Sequence, residues 1–419
     1  MAQNYEQVQN GDISSRAELP GLPDTPEFAP ASERVSRLGD MAIARAGWGG
    51  QLSTEAIIEA GSRAGQLTGL QITQLRNIGF GGGYRFSTEI SDLLDPRLQW
   101  LQAGWATKLA LKVIAERDWD TVDALYVGSS TTTPQTVKQI RDNLEQRGVT
   151  VGRIQQHSLA CQSWTTSTVD ALTRSDLTGK NVVVVGLDTL SPMTAPDDPI
   201  TYAIFGNGGG AFAFKPGKEM EYLHGTTRFE HDEKGITRCI PICALPPKEE
   251  WQSYPDNFLL VGEQTHEFLA VTRDGLVMCI PPTGNGKIIM DGVATIRYFI
   301  IESTSFDMIQ NEVAWYVRHG KVEEYGPLDI PFGHQPSFEV IDGLNNYALK
   351  RYKREKLPGT PLQFPWVMRN TGFNNISAGT GLVAIEEMAH TGQLQPHSTH
   401  LMLGLGIGNS VGIHLVRFI

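Results

Sequence analysis

The stretch NVVVVGLD, residues 181–188, restricts the fold more than any other part of the chain. Successive side chains of a strand point to opposite faces, so Val182, Val183, Val184 and Val185 put branched apolar groups on both sides of whatever sheet they join. Such a strand is stable where both faces are covered, and helices packed on each side of a sheet provide that cover.

The surrounding sequence supplies the helices. Between Pro96 and Thr121, Leu98, Leu101, Trp105, Leu109 and Val113 recur at intervals of three and four, which predicts one face of a long helix. VDALYVGSS (122–130) reads as a buried strand. Thr133 and Pro134 look like the N-cap and first turn of a helix carrying Val137, Ile140 and Leu144, which Gly148 can end. A second strand, VTVGRIQQHSL (149–159), leads to a helix from Gln162 to about Ser175, whose small residues allow close approach inside a core. FGNGGGAFAF (205–214) reads as a glycine turn into a further strand.

The same order then returns as helix Ile288–His319, strand PLDIPFG (327–333), helix Pro336–Arg351, strand LQFPWVMR (362–369) and helix Ser377–Thr391. The strands THLMLGLGIG (399–408) and NSVGIHLVRFI (409–419) close it. Two βαβαβαββ-like halves follow, with hardly any residues in common, and the alternation predicts a layered α/β protein with mostly parallel sheets. Residues 1–35, with Pro20, Pro23, Pro26 and Pro30, read as a tail or strap; 36–220 form the first half, 221–285 a Pro-rich insertion with some strand content, and 286–419 the second half.

At 419 residues, 40% hydrophobic and 19% charged, the chain reads as a soluble globular protein. It has no apolar run long enough to span a bilayer and no basic-then-apolar start, so a cytoplasmic location without membrane contact is expected. A formal charge of −11 argues against a broad nucleic-acid-binding surface. The basic run LKRYKREK (349–356) reads either as a local patch for an acidic partner or as a solvated helix end whose cations complement the dipole. The four cysteines, Cys161, Cys239, Cys243 and Cys279, are too few for a disulfide framework, and reduced thiols are expected. CIPIC (239–243) invites a metal reading, but no second pair follows and Pro241 spoils a ligand-bearing helix, so no metal is expected.

Three strand-to-helix junctions carry potential chemistry. Cys161 lies where a helix N-terminus favours thiolate over thiol, which suits a nucleophile; a buried structural cysteine fits the same position. His334, in PFGHQPS, stands at the equivalent edge of the second half, where ligands gather in open α/β sheets, although a lone histidine can also be structural. Asn374 and Asn375 precede a small-residue helix, as a simple cap or as an amide donor to a substrate oxygen. The glycine clusters GFGGGYRF, FGNGGGAF, GLGIGNS and TGNGKI lack the spacing or context of nucleotide-binding loops and suit tight turns, which can also present N–H groups to an oxyanion.

Together these stretches resemble the thiolase superfamily and, within it, the β-ketoacyl-ACP synthase III-like condensing enzymes. LACQS (159–163) is similar to the nucleophile motif, IFGNGGGAFAF (204–214) to the "FGDGAGA" stretch, GHQPS (333–337) to the histidine motif and NNISAGTGLVAIEE (374–387) to the asparagine motif. GLGIGNSVGIHLVRFI (404–419) is similar to the closing glycine turn and strand. The resemblance runs from about Trp100 to Ile419, with gaps, and implies a five-layer α-β-α-β-α sandwich and a homodimer. It implies Cys161 as acyl acceptor, His334 and Asn375 as the catalytic pair, and the backbone N–H groups of Cys161 and Ile407 as the oxyanion hole. Asn375 is preferred to Asn370 by counting back from AIEE. Three positions depart from the pattern: Asn207 stands for the usual aspartate, Gly333 precedes the histidine where proline is common, and Pro336 follows HQ where alanine is common.

The activity so implied is a Claisen condensation between an acyl group on Cys161 and a malonyl or β-ketoacyl thioester, with acyl-CoA or acyl carrier protein as partners and no separate cofactor. The departures and the extra length point to a specialised-metabolite or fatty-acid-like pathway, with cyclisation of the product in some long relatives. Acyl transfer to an alcohol or amine, with His334 as general base, is a second reading. A non-catalytic partner subunit is a third, although such partners usually lack members of the triad.

Overall fold

The computed structural model describes residues 30–86, 95–194, 199–229, 258–261, 269–272, 277–278, 298–302, 305–357, 360–406 and 410–419. In chain order the first half contains β1 (Pro30–Leu38), β2 (Met41–Trp48), β3 (Gly50–Ser53), α1 (Thr54–Arg63), α2 (Gly69–Asn77) and β4 (Gly82–Arg85). Then come α3 (Pro96–Glu116), β5 (Thr121–Gly128), α4 (Pro134–Glu145), β6 (Thr150–His157), α5 (Ser163–Thr173), β7 (Val182–Thr189), α6 (Pro199–Ile204) and β8 (Asn207–Phe214). Beyond β9 (Met220–Phe229) lie β10 (Phe258–Val261), β11 (Leu269–Thr272) and β12 (Val277–Met278). The second half carries α7 (Ser305–Arg318), α8 (Lys321–Tyr325), β13 (Phe332–Gly333), α9 (Phe338–Glu355), α10 (Thr380–His390), β14 (Thr399–Gly406) and β15 (Ser410–Phe418).

The valine run is an inner strand of the first sheet. Its order is β1-β2-β8-β7-β5-β6, and all of Val182, Val183, Val184 and Val185 are inaccessible to solvent. One face of this sheet is covered by α3 and α4; α5 and α10 cover the other. These two helices also reach the second sheet, β13-β14-β15-β9, so they form a central layer between two sheets. Helix α7 packs on β15 and β9 from outside, and Val340, Ile341 and Leu344 of α9 join Leu401, Leu403, Ile413 and Leu415 in a separate outer core. The expected five layers are therefore present.

The sheets are mixed rather than mostly parallel. In the first, β7/β5 and β5/β6 are parallel, but β1/β2, β2/β8 and β8/β7 are antiparallel. In the second only β13/β14 is parallel. Helical crossovers force parallel pairing, whereas β1 and β2 are joined by the tight turn at Gly39 and Asp40, which reverses the chain.

Several boundaries also differ from the sequence reading. Strand β1 opens at Pro30, inside the expected tail, and β9 carries the chain past residue 220 as a full strand of the second sheet rather than as insertion. Between residues 258 and 278, β10, β11 and β12 form an antiparallel meander. Of the expected helix Ile288–His319, the start lies outside the described residues; a π-helical turn at Tyr298–Glu302 precedes α7. LQFPWVMR is not a strand, because Pro365 has no N–H to donate and amide side chains replace the ladder. Val367 N–H donates to Gln335 Oε1 (3.0 Å), Gln335 Nε2 donates to the Pro365 carbonyl (2.7 Å), and Asn345 makes the same reciprocal pair with Phe364 (2.9 Å each way).

The glycines of FGNGGGAFAF lie within β8 rather than in a turn. A Cβ at Gly210 would stand 2.6 Å from Leu382 Cβ of α10, and one at Gly209 would stand 2.7 Å from the Gly186 carbonyl. The missing side chains let the central helix layer close on the sheet.

Candidate active site

Cys161 follows β6 in a tight turn into α5. Ala160 takes a left-handed backbone, φ +48°, which a non-glycine residue adopts only where its surroundings enforce it. The enforcing contacts come from Ser163, whose Oγ accepts from Leu159 N–H (2.8 Å) and donates to the Ala160 carbonyl (2.6 Å). Cys161 is thus one residue ahead of the N-cap Gln162 and is 3% exposed. Cys161 therefore stands just ahead of the positive end of the α5 dipole.

His334 follows the two-residue strand β13. Its backbone N–H donates to the Leu403 carbonyl of β14 (2.9 Å). Gly333 has φ +150°, and a Cβ there would overlap the Leu403 backbone, so the proline common at this position in the resembled motif does not fit. The imidazole is 1% exposed, and burial pushes it down to about 3, so the ring is neutral at ordinary pH. Its Nδ1 has no protein partner.

Asn375 lies in the loop before the 3₁₀ turn Ser377–Gly379 that feeds α10. Its Oδ1 accepts from Ser377 N–H (2.8 Å) and Thr380 Oγ1 (3.1 Å), which fixes the flip of the carboxamide and turns Nδ2 to the Pro336 carbonyl (3.3 Å), two residues beyond His334. Asn374 points elsewhere: its Nδ2 donates to the Ala203 carbonyl (2.8 Å), and it fills the space left by Gly83. The two neighbouring asparagines are thereby separated, and only Asn375 meets the histidine loop. Ile407 lies outside the described residues, as do Cys239, Cys243 and Cys279.

Strand β14 ties the cysteine and histidine turns together. Leu403 holds His334 through its carbonyl, while Cβ atoms at Gly404 and Gly406 would come within 3.0 Å of Gln162 Cγ and 3.1 Å of the Leu159 carbonyl, on either side of Cys161. Asn207, the first residue of β8, accepts from Ser191 N–H (2.9 Å) and donates to the Trp48 carbonyl (3.4 Å). An aspartate could not make that second bond, which gives the departure from the resembled motif a local use.

Two buried polar residues beside these loops were not singled out by sequence. Gln162 is fully buried with both amide atoms unpartnered by protein, and Asp188 is fully buried at the end of β7. The visible signal for Asp188 is an acid closing a strand that is apolar on both faces, where it must find hydrogen bonds or be excluded. Among the described residues, no group of three His, Cys, Asp or Glu side chains is placed to hold a metal, and no helix is long and apolar enough to cross a membrane.

Two sheets enclosing a helix layer, with the cysteine and histidine each at a strand end, define a thiolase-type fold. Residues 157–232, which include Cys161, match the family 3-oxoacyl-[acyl-carrier-protein (ACP)] synthase III. It is 27% identical over 232 residues to a β-ketoacyl-[acyl-carrier-protein] synthase III of Streptomyces avermitilis; the match spans 54% of this chain and 57% of that relative. The fold is shared with the crystal structure of 3-oxoacyl-(acyl carrier protein) synthase III from Pseudomonas aeruginosa, at TM-score 0.59 and 16% identity over 90% of this chain and 96% of the other. It is shared too with 1,3,6,8-tetrahydroxynaphthalene synthase of Streptomyces coelicolor, a type III polyketide synthase, at TM-score 0.56 and 14% identity over 92% and 99% of the two chains.

Proposed function

We propose that this chain is a ketosynthase that joins an acyl group carried on Cys161 to a malonyl or β-ketoacyl thioester by Claisen condensation. The observation that carries the reading is that β14 touches both the turn with the thiol and the turn with the neutral imidazole, and that the oriented carboxamide of Asn375 reaches the histidine loop at Pro336.

In the first half-reaction the Cys161 sulfur attacks the carbonyl of an acyl-CoA or acyl-carrier thioester, its proton passes to the departing thiol, and an acyl-cysteine remains. Backbone N–H groups around Cys161 and Ile407 stabilise the tetrahedral oxyanion, each donor contributing on the order of 3 kcal/mol. In the second half-reaction the extender's thioester carbonyl accepts hydrogen bonds from the His334 ring and from Asn375 Nδ2. Loss of CO2 from a malonyl group, or of a proton from a β-ketoacyl group, then leaves an enolate that attacks the acyl carbonyl. Collapse expels the Cys161 thiolate and releases a β-ketoacyl thioester. A buried ring that stays neutral suits this role, since it donates one N–H without first losing a proton.

The long chain and the departures at Asn207, Gly333 and Pro336 support a substrate outside housekeeping fatty acid synthesis, in a specialised-metabolite or fatty-acid-like pathway. Two copies acting as a homodimer, with acyl-CoA or acyl carrier protein as donor, complete the reading. The test is intact mass after incubation with acyl thioesters. Wild type gains the acyl mass and Cys161→Ala does not, whereas Asn375→Ala is acylated but fails to extend the chain when malonyl thioester is added. Acylation surviving Cys161→Ala refutes the reading, and transfer to an added alcohol or amine without extension supports the acyltransferase alternative instead.

A further inference from the structure

Asp188 is a carboxylate with 0% exposure whose hydrogen-bond partners are all neutral. Its two oxygens have divided tasks. Oδ1 gathers donors from the loop between β5 and α4: Ser129 Oγ (3.0 Å), Ser130 N–H (2.8 Å), Thr131 N–H (3.0 Å) and Thr131 Oγ1 (2.9 Å). Oδ2 accepts from Ala378 N–H (3.0 Å), in the turn after Asn375. That turn is held in an uncommon shape, since Ser377 has φ +49°. It is also the turn whose Ser377 N–H reaches Asn375 Oδ1 at 2.8 Å and thereby tells the two ends of that carboxamide apart.

We infer that Asp188 is a positioning residue for Asn375: by anchoring Ala378 it holds the left-handed Ser377, which in turn aims Asn375 Nδ2 at the place where the extender's carbonyl binds. The inference rests on the condensing reading above and adds a residue to it. A purely structural role is the alternative, but satisfying the β5–α4 loop occupies Oδ1 alone. The second oxygen, bound to Ala378, is the one that reaches the Asn375 turn.

Asp188→Asn separates the two. The amide keeps one acceptor oxygen, which is best spent on the four donors of the β5–α4 loop, so its NH2 faces Ala378 N–H, donor against donor. The expected result is acylation of Cys161 within about threefold of wild type and a fall in the condensation kcat of roughly 30-fold or more, as small misplacements of reacting groups produce. In the Asn375→Ala background the same change adds little. Equal losses in both half-reactions, an unchanged condensation rate, or full additivity with Asn375→Ala overturns the inference. Should Asp188→Asn fail to fold, Ser377→Ala decides, because the Ser377 side chain also hydrogen-bonds Asp188; a smaller loss confined to condensation is expected, and no loss refutes the inference. Wild-type enzyme that is acylated but never extends the chain refutes the condensing reading, and the inference with it.

Discussion

The two sheets flanking the central helices are built from the same plan but to different standards. Among the described residues, the first has six strands, and its middle is a run of fully buried valines hydrogen-bonded on both sides. The second has four among the described residues, of which the outermost, β13, is two residues long, and the segment expected beside it is pinned by the amides of Gln335 and Asn345. The contrast follows from composition: Pro327, Pro331, Pro361 and Pro365 interrupt the ladder in the second half, and side chains must then satisfy the backbone. It also bears on the proposed reaction, since Cys161 follows an eight-residue strand while His334 follows a two-residue one and Asn375 sits in a loop held by individual hydrogen bonds.

Breaking one of those bonds should expose the difference. Gln335→Leu strips partners from Val367 N–H and the Pro365 carbonyl beside His334, so a loss of about 2–4 kcal/mol is expected, together with a larger drop in condensation than in acylation. Leu187→Ala in β7 should cost a comparable 3 kcal/mol or about that, yet lower both half-reactions equally. Urea midpoints alongside the two half-reaction rates check both, and identical rate ratios for the two variants would erase the contrast.

Acid should act mainly on the second sheet, which holds His334 and His414, pushed down by burial to about 3 and about 4. The unfolded chain protonates these rings near pH 6.5 and the folded one does not, so their contribution is complete above 6.5 and is lost as pH falls below it, at about 1.4 kcal/mol per pH unit for each ring. Between pH 7 and pH 5 wild type should therefore lose on the order of 2 kcal/mol more than His334→Gln. Equal slopes in the two proteins would mean that the ring is not buried as a neutral group.

The smallest effect concerns the seam between the halves. Gln162→Leu keeps a stem against Gly404 and Gly406 but removes two unpartnered buried amide atoms, one of them facing Gly412, and a gain of about 1–2 kcal/mol is expected, read as a higher Tm. A lower Tm would show that a polar partner occupies that seam.

Periodicity carried much of the architecture. Helix α3 was readable from Leu98 to Val113, the Thr133 cap from its proline, and β7 from its valines, because each is dictated locally. What stayed hidden depends on distant contacts. Nothing local in FGNGGGAFAF says that its glycines accept a helix, nor in LQFPWVMR that Gln335 will replace a neighbouring strand. The candidate site divides the same way: Cys161, His334 and Asn375 stood out by motif, while Asp188 and Gln162 acquire meaning only once β7, α5 and β14 are brought together.

Strand β14 touches the cysteine turn along its glycines and the histidine turn through Leu403. Thermal breathing of the outer helices therefore carries sulfur and imidazole along together, as two fittings on one rail, and leaves their separation less disturbed than either one's distance from solvent. Redesign aimed at new acyl groups has more freedom in the layers outside that rail than along it.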